Sequence, residues 1–162
     1  MRIAIEPPAD VNIAWLEQEV RRAVELTLKG AAQLVANDAK RAVARGPKTG
    51  RLYTTRFATN RQTGRIFPTE PRVPHRASAP GEAPATDTGK LLSSIVGDAQ
   101  GLKAWVEARS VYAPWLEYGT RHMQARPFML PAIEANRQRV GDLIRAAVSS
   151  AMSQWAQKAG RG

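Results

Sequence analysis

The chain contains no cysteine, and only two of its 162 residues are histidines. Without cysteine, disulfides and thiolate metal sites are excluded, which suits a protein assembled in a reducing cytoplasm. His75 and His122 stand in no metal-ligand spacing, and neither a serine elbow nor a phosphate-binding glycine loop occurs. We therefore expect no metal, no cofactor and no enzymatic activity.

Long apolar runs are also missing. The first residues, Met1 to Pro8, lack the apolar centre of a signal peptide. No later run approaches the roughly 18 apolar residues of a membrane span. We expect an unexported protein without membrane contact, built as one domain around one modest core.

Acidic residues are the minority, 14 against 24 basic ones, and the formal net charge is +10. Residues 46–88 hold seven basic residues, three acidic ones and six of the 11 prolines, with few large apolar side chains. This composition predicts an extended arm that becomes ordered on a partner, with short β-prone patches that would also allow a hairpin. The basic candidates for contact with DNA phosphates or an acidic protein are Arg51, Arg56, Arg61, Arg65, Arg72 and Arg76.

Two long helices frame the chain. Apolar residues at steps of three and four predict an amphipathic helix over 13–45, ended by Gly46 and Pro47. A second helix is predicted over 131–157, starting at Pro131 and burying Ile133, Val140, Leu143, Ile144, Ala147, Val148, Ala151 and Trp155.

Between them, residues 89–130 predict a hairpin and a turn. A helical turn over 89–94 would be capped by Asp87 or Thr88, followed by a strand at 94–96, a turn at 97–101 and a strand at 102–109. A short helix at 113–118 would end at Gly119. The whole pattern predicts an α+β fold: long N-terminal helix, extended arm, short antiparallel sheet, long C-terminal helix.

Aromatic residues cluster in the stretch from Tyr112 to Phe128, although the whole chain is only 6% aromatic. The cluster fits either a core corner or a subunit interface, where aromatic residues and arginine concentrate binding energy. Glu117 is expected to fix the turn through an ion pair with Arg121 or Arg126, in preference to an acid–base pair with His122. The turn or interface candidates are Tyr112, Trp115, Glu117, Tyr118, Gly119, Arg126 and Phe128.

Two blocks carry a resemblance to a known family. Residues 112–131 read YAPWLEYGTRHMQARPFMLP, and residues 75–91 read HRASAPGEAPATDTGKL. They resemble the phage tail-component family typified by gene product ten of phage HK-ninety-seven, including its Pro-Gly-Glu-x-Pro-Ala-x-x-Thr-Gly-x-Leu block. Completion proteins of contractile-tailed phages share an Ala-Arg-Pro-Phe-like turn, but the sequence Glu117 to Thr120 favours the first family.

The resemblance implies a structural protein of the virion neck or tail, assembled in the bacterial host cytoplasm, with no catalytic residue. It implies a homo-oligomeric ring for DNA passage, with six subunits to match a tail tube. Its partners would be head-closure or connector proteins and the tail terminator or tail tube. The alternative is a basic DNA-binding accessory protein with non-specific phosphate contacts, since no recognition helix or other sequence-reading motif is present.

Overall fold

The computed structural model describes residues 1–5, 18–53, 57–60, 62–68 and 75–159. The predicted α+β class is confirmed: a long N-terminal helix, a three-stranded antiparallel sheet and a long C-terminal helix share one core. The elements are β1 (Arg2–Ile5), α1 (Gln18–Arg45), β2 (Leu52–Tyr53), β3 (Phe57–Thr59), β4 (Ile66–Pro68), β5 (His75–Arg76), α2 (Lys90–Ser94), β6 (Ile95–Gln100), β7 (Lys103–Ala108), α3 (Ala113–Tyr118) and α4 (Leu130–Ala159).

Helix α1 is the central element of the fold, because it packs against both α4 and the strands β6 and β7. Two large layers can share one core only if their common element is apolar on more than one side. Helix α1 meets this demand with small residues beside branched ones, all buried: Val20, Val24, Leu28, Ala31, Ala32, Val35, Ala36, Ala39 and Val43. Residues 13–17 of the predicted helix lie outside the described residues.

The sheet has the strand order β1-β7-β6, and both pairs are antiparallel. Strand β1 is not predicted from the sequence, because its four residues form too short an alternation of apolar and polar side chains. Its pairing depends on distant partners. The Met1 ammonium group donates to the Ala108 carbonyl, whose own amide donates back to Met1 at 2.8 Å. Arg2 pairs with Glu107 and lies over the Trp105 ring at 4.7 Å.

The hairpin β6–β7 differs from the prediction in its bounds. The predicted turn at 97–101 is wrong, since β6 runs from Ile95 to Gln100 and the chain reverses at Gly101 and Leu102, with Gly101 at φ 58°. Gly97 is not a turn residue but the point where α1 comes closest to the sheet: a β-carbon there would lie 2.2 Å from the Ala32 carbonyl oxygen. The hairpin is fastened to α1 a second time, because the Gly101 amide donates to the Glu25 carboxylate at 2.7 Å.

Helix α2 begins without the side-chain cap that was predicted from Asp87 or Thr88. Its N-cap is Gly89, in the left-handed region at φ 73°, a residue that has no side chain with which to cap the helix. A glycine reaches this conformation without the steric cost that a β-carbon would add. The left-handed step turns the chain into α2 and lets Leu91 enter the core.

Helix α4 packs along α1 and buries Ala132, Val140 and Ile144. Leu143, predicted on the buried face, keeps 40% of its surface exposed, and the side chain of Trp155 lies outside the described residues. A buried polar link fixes the register of the two helices. The Asn136 amide nitrogen donates to Asp38 at 2.7 Å and to the Ala132 carbonyl at 2.8 Å.

The predicted arm divides into two parts. Residues 52–76 contain two short antiparallel ribbons, β2 with β5 and β3 with β4. A loop at the tip is closed by Asn60, whose side-chain oxygen accepts the amides of Gln62 and Thr63. Residues 77–88, by contrast, lie against the body, with Ser78 and Pro84 buried. None of the described helices is long and apolar enough to cross a membrane.

The close approach of Gly97 to α1 yields a stability prediction. Gly97→Val places atoms on the backbone of Ala32 and Gln33, which cannot rotate away. We expect a loss of about 3 kcal/mol in the free energy of unfolding, measured by urea denaturation. Gly30→Ala is the control, because a β-carbon at this mid-helix position meets nothing within 4 Å. That change should raise stability by about 0.5 to 1 kcal/mol, and equal losses in both variants would contradict the packing argument.

Candidate functional site

The site is the stretch 111–130, called here the α3 turn, which consists of α3, a loop and the start of α4. Its organising group is Glu117, a carboxylate that is only 2% exposed. Oε2 accepts the backbone amides of Phe128 and Met129, both at 3.0 Å, and Oε1 accepts that of Leu130 at 2.8 Å. Leu130 is the first residue of α4, and Phe128 and Met129 directly precede it. Amides at a helix N-terminus have no acceptor within the helix, and negative charge is stabilised there.

The predicted ion pair of Glu117 is therefore wrong. Among the described residues no Arg or Lys pairs with this carboxylate, and its acceptor positions are taken by main-chain donors. Nor does the structure bring Glu117 to His122 as an acid–base pair. His122 lies at the exposed tip of the loop, where its Nε2 accepts a hydrogen bond from Arg121 Nε at 2.7 Å.

Gly119 ends α3 as predicted and redirects the chain. Its amide donates to the Trp115 carbonyl at 2.9 Å, and its φ is 77°. A β-carbon at this position would lie 2.8 Å from both the Ala125 nitrogen and the Met123 oxygen. The loop behind it is closed by reciprocal hydrogen bonds between the backbones of Thr120 and Met123, at 2.7 and 3.2 Å. Both the conformation and the tight contact require glycine here.

The four aromatic candidates separate into different environments. Phe128 is fully buried in the core, and Tyr112 is half-buried. Trp115 and Tyr118 point outward, with 58% and 61% of their surface exposed. Val111, which sequence analysis missed, is 83% exposed. Val111 lies in the turn before α3, and its spacing of four and seven residues from the two exposed rings, which is the spacing of one helix face, was the available signal.

The two blocks that carry the family resemblance meet in space. The Gly81 amide donates to the Ala125 carbonyl at 2.9 Å, which joins the Pro-Gly-Glu segment to the α3 turn. Arg126 adds a side-chain link through Nη1, which lies 3.3 Å from the buried Ser78 hydroxyl. The Arg126 Nε is buried and has no hydrogen-bond partner among the described residues. Ser78 was not a sequence candidate.

A pocket of about 280 Å³ lies between these segments. Its walls come from residues 84–92, from Leu116 of α3 and its N-cap Tyr112, and from His75, Ala77 and Arg126. The wall is mixed in polarity and includes Asp87 as well as the basic groups. The contacts of Arg126 that the structure assigns are internal, to Ser78 through its side chain and to the Leu116 carbonyl at 2.7 Å through its amide.

Glu82 fastens the base of the arm. Its carboxylate accepts hydrogen bonds from the Thr49 hydroxyl and amide and from the Ala79 amide. The Thr49 hydroxyl is the largest cause that lowers the pKa of Glu82 below its ordinary 4.5, followed by the two amides, with a smaller effect of the Arg126 charge. Gly50 permits the close crossing of strands beside this group, because a β-carbon there would lie 2.5 Å from the Ser78 carbonyl oxygen.

The six basic arm candidates are only partly described. Arg51, Arg65 and Arg76 are exposed, and Arg76 Nη1 donates to the Gly50 carbonyl at 3.3 Å. Arg56, Arg61 and Arg72 lie outside the described residues. Arg51 and Arg76 lie at the ribbon of β2 and β5, and Arg65 directly precedes β4 in the other ribbon. Within the described parts of the chain, no group of acidic and histidine side chains is arranged to hold a metal ion.

The role of Glu117 can be tested by Glu117→Gln. The amide side chain keeps one oxygen for Phe128 and Met129 but turns an NH₂ group toward the Leu130 amide, so two donors face each other in a buried place. We expect a loss of about 2 to 3 kcal/mol in unfolding free energy. Glu134→Gln, an exposed carboxylate on α4, is the matched control. Similar behaviour of the two variants would show that Glu117 does not hold the turn.

The Glu82 contact predicts a pH dependence. A carboxyl with a lowered folded pKa adds stability above its unfolded pKa and loses that contribution as the pH falls through the folded value. The base of the arm should therefore loosen only below pH 4.5. Thr49→Val removes the strongest donor and should raise the Glu82 pKa, followed by NMR titration of the carboxyl carbon. Thr27→Val, which removes a hydroxyl bonded to a helix carbonyl, should leave that pKa unchanged.

Comparison of the chain with known protein families, with characterised proteins and with solved structures finds no match.

Proposed function

We propose that this chain is a structural virion protein of the phage neck, a tail-completion component that joins the head to the tail. In this proposal it forms a homo-oligomeric ring, with six subunits, between head-closure or connector proteins and the tail terminator or tail tube. DNA passes through the ring. The protein acts by binding its neighbours, not as an enzyme, and it is assembled in the host cytoplasm.

The observation that carries the proposal is the exposed apolar face of α3 and of the turn that precedes it. Val111, Trp115 and Tyr118 are large apolar residues that remain in solvent, although their neighbours Ala113 and Glu117 are buried. Aromatic side chains of this kind concentrate binding energy at protein interfaces, and an exposed apolar patch is a common mark of a docking site. The three hydrogen bonds of Glu117 hold this face in one orientation before any partner arrives.

The position of the two family-like blocks gives further support. Residues 75–91 and 112–131 are separated in sequence but are joined through Gly81 with Ala125 and through Ser78 with Arg126. A resemblance spread over two contacting segments concerns one piece of structure, not two unrelated stretches. The basic arm leaves the body next to this piece, held there by Glu82 and Thr49.

The exposed arginines of the arm favour one second candidate, a basic DNA-binding accessory protein. Arg51, Arg65 and Arg76 lie on the surface of a chain whose net charge is +10. Contacts of this kind would be electrostatic and would weaken steeply with salt. Charge reversal of these three arginines separates the two candidates. If the protein is a DNA-binding accessory protein, the change should abolish its binding to duplex DNA. If it is the neck component that we propose, the change should leave head–tail joining intact.

The direct test is removal of this gene from the phage that encodes it. We expect induced cells to release filled heads and finished tails that are not joined, and the wild-type protein supplied in trans should restore complete virions. Electron microscopy of the particles and cryo-electron maps of the restored virions give the readout. Joined virions without the gene, or restored virions whose neck lacks the protein, would contradict the proposal.

A further inference from the structure

The stripe formed by Val111, Trp115 and Tyr118 differs from an ordinary exposed face in its charge. Between Arg109 and Leu130 the chain has one carboxylate, Glu117, and that group is buried and occupied by backbone amides. The exposed arginine and histidine side chains there are Arg109, Arg121 and His122. Arg121 and His122 follow the stripe along the chain, and Arg109, which lies 3.8 Å from the Glu107 carboxylate, precedes it. Within residues 110–130 the exposed charge beside the stripe is therefore positive.

The size of the stripe fits the centre of an interface. Three side chains of these types, each more than half exposed, offer on the order of 400 Å² of surface, about half of what one partner contributes to a standard interface. The remaining area must come from polar neighbours around the stripe. Since these neighbours are cationic, the matching surface needs an apolar depression bordered by carboxylates.

A second copy of this chain is a poor match. Two stripes facing each other across a twofold axis would bring Arg121 and its neighbours onto their own equivalents, and in a ring the stripe would instead meet a different face of the next copy. The acidic groups of another face do not help, because several are engaged within their own chain: Glu107, Asp98, Glu134 and Asp142 each lie 3.8 Å or less from an arginine or lysine nitrogen. Docking such a face on the stripe would first require these pairs to open.

We infer that the stripe of Val111, Trp115 and Tyr118 docks on a different protein of the neck, in an apolar groove edged by acidic side chains, and that it is not the contact between copies in the ring. This inference rests on the proposed function, and it specifies which surface faces the neighbour above or below. Contacts between copies are then made elsewhere on the molecule. Salt weakens the docking, because the cationic rim contributes to it.

The test uses filled heads and finished tails, purified separately from phage that lacks the gene, as the two binding probes. The labelled full-length protein is titrated onto each at low and at physiological salt. We expect it to bind one of them, and Trp115→Ala with Tyr118→Ala to weaken that binding at least about tenfold. Leu26→Ala, which changes an equally exposed apolar residue on α1, should leave it unchanged.

The rim is tested by Arg121→Glu against Arg137→Glu, an exposed arginine on α4. We expect Arg121→Glu alone to weaken binding and to flatten its salt dependence. All these substitutions are on the surface, and unchanged urea denaturation would show that the variants are folded.

Three results would overturn the inference. The stripe variants could bind heads and tails as the wild type does. The stripe variants could lose only self-association in sedimentation experiments, which would make a second copy the partner of the stripe. They could also lose only affinity for duplex DNA, which would make DNA the partner. If the wild-type protein bound neither particle and the gene-deleted phage still made joined virions, the proposed function would fail together with the inference. If gene deletion abolished head–tail joining but the stripe variants restored it normally, the inference about the stripe would be wrong and the proposed function would stand.

Discussion

The carboxylate of Glu117 determines the geometry on which the surface of this protein depends. A buried carboxylate is costly unless several donors surround it, and the amides at the N-terminal end of α4 are donors without acceptors in that helix. The two needs are met by one contact that joins α3 to the start of α4 across 11 to 13 residues. Since α3 has only six residues, it could not hold its orientation alone. The contact thus decides which side of α3 faces solvent.

The contact between α1 and the sheet likewise depends on residues that match each other on the two surfaces. An apolar helix face made of alanine and valine can approach a sheet more closely than one made of leucine, and Gly97 removes the last obstacle opposite Ala32. The close approach fixes the height of α1 over the sheet, and Asn136 with Asp38 fixes how α4 lies along α1. Because α4 begins at the Glu117 contact, the packing of α4 in this core also determines the position of the α3 turn.

Sequence reasoning recovers those features that repeat. The helical periods of α1 and α4 and the alternation of β7 each extend over many residues. The predicted α+β class and the predicted bounds of α3 agree with the structure. It fails where one residue has a role set by a distant partner. Gly97 was predicted in a turn because glycine is typical of turns, Glu117 in an ion pair because arginines lie near it in sequence, and β1 was missed because its pairing depends on β7. Local patterns do not encode these contacts.

The surface then divides by charge and by rigidity. The α3 turn is held by buried hydrogen bonds and carries an apolar stripe between cations, whereas the arm is joined to the body through Glu82 and Thr49 at its base and carries its cations along short ribbons. Two-stranded ribbons gain little stability of their own. A rigid stripe can recognise a groove of fixed shape at small entropic cost, and a basic ribbon follows a polyanion or an acidic surface without needing one shape. The neck role that we propose needs a fixed fit to one neighbour and tolerance of passing DNA, and the stripe and the ribbons suit these two needs respectively.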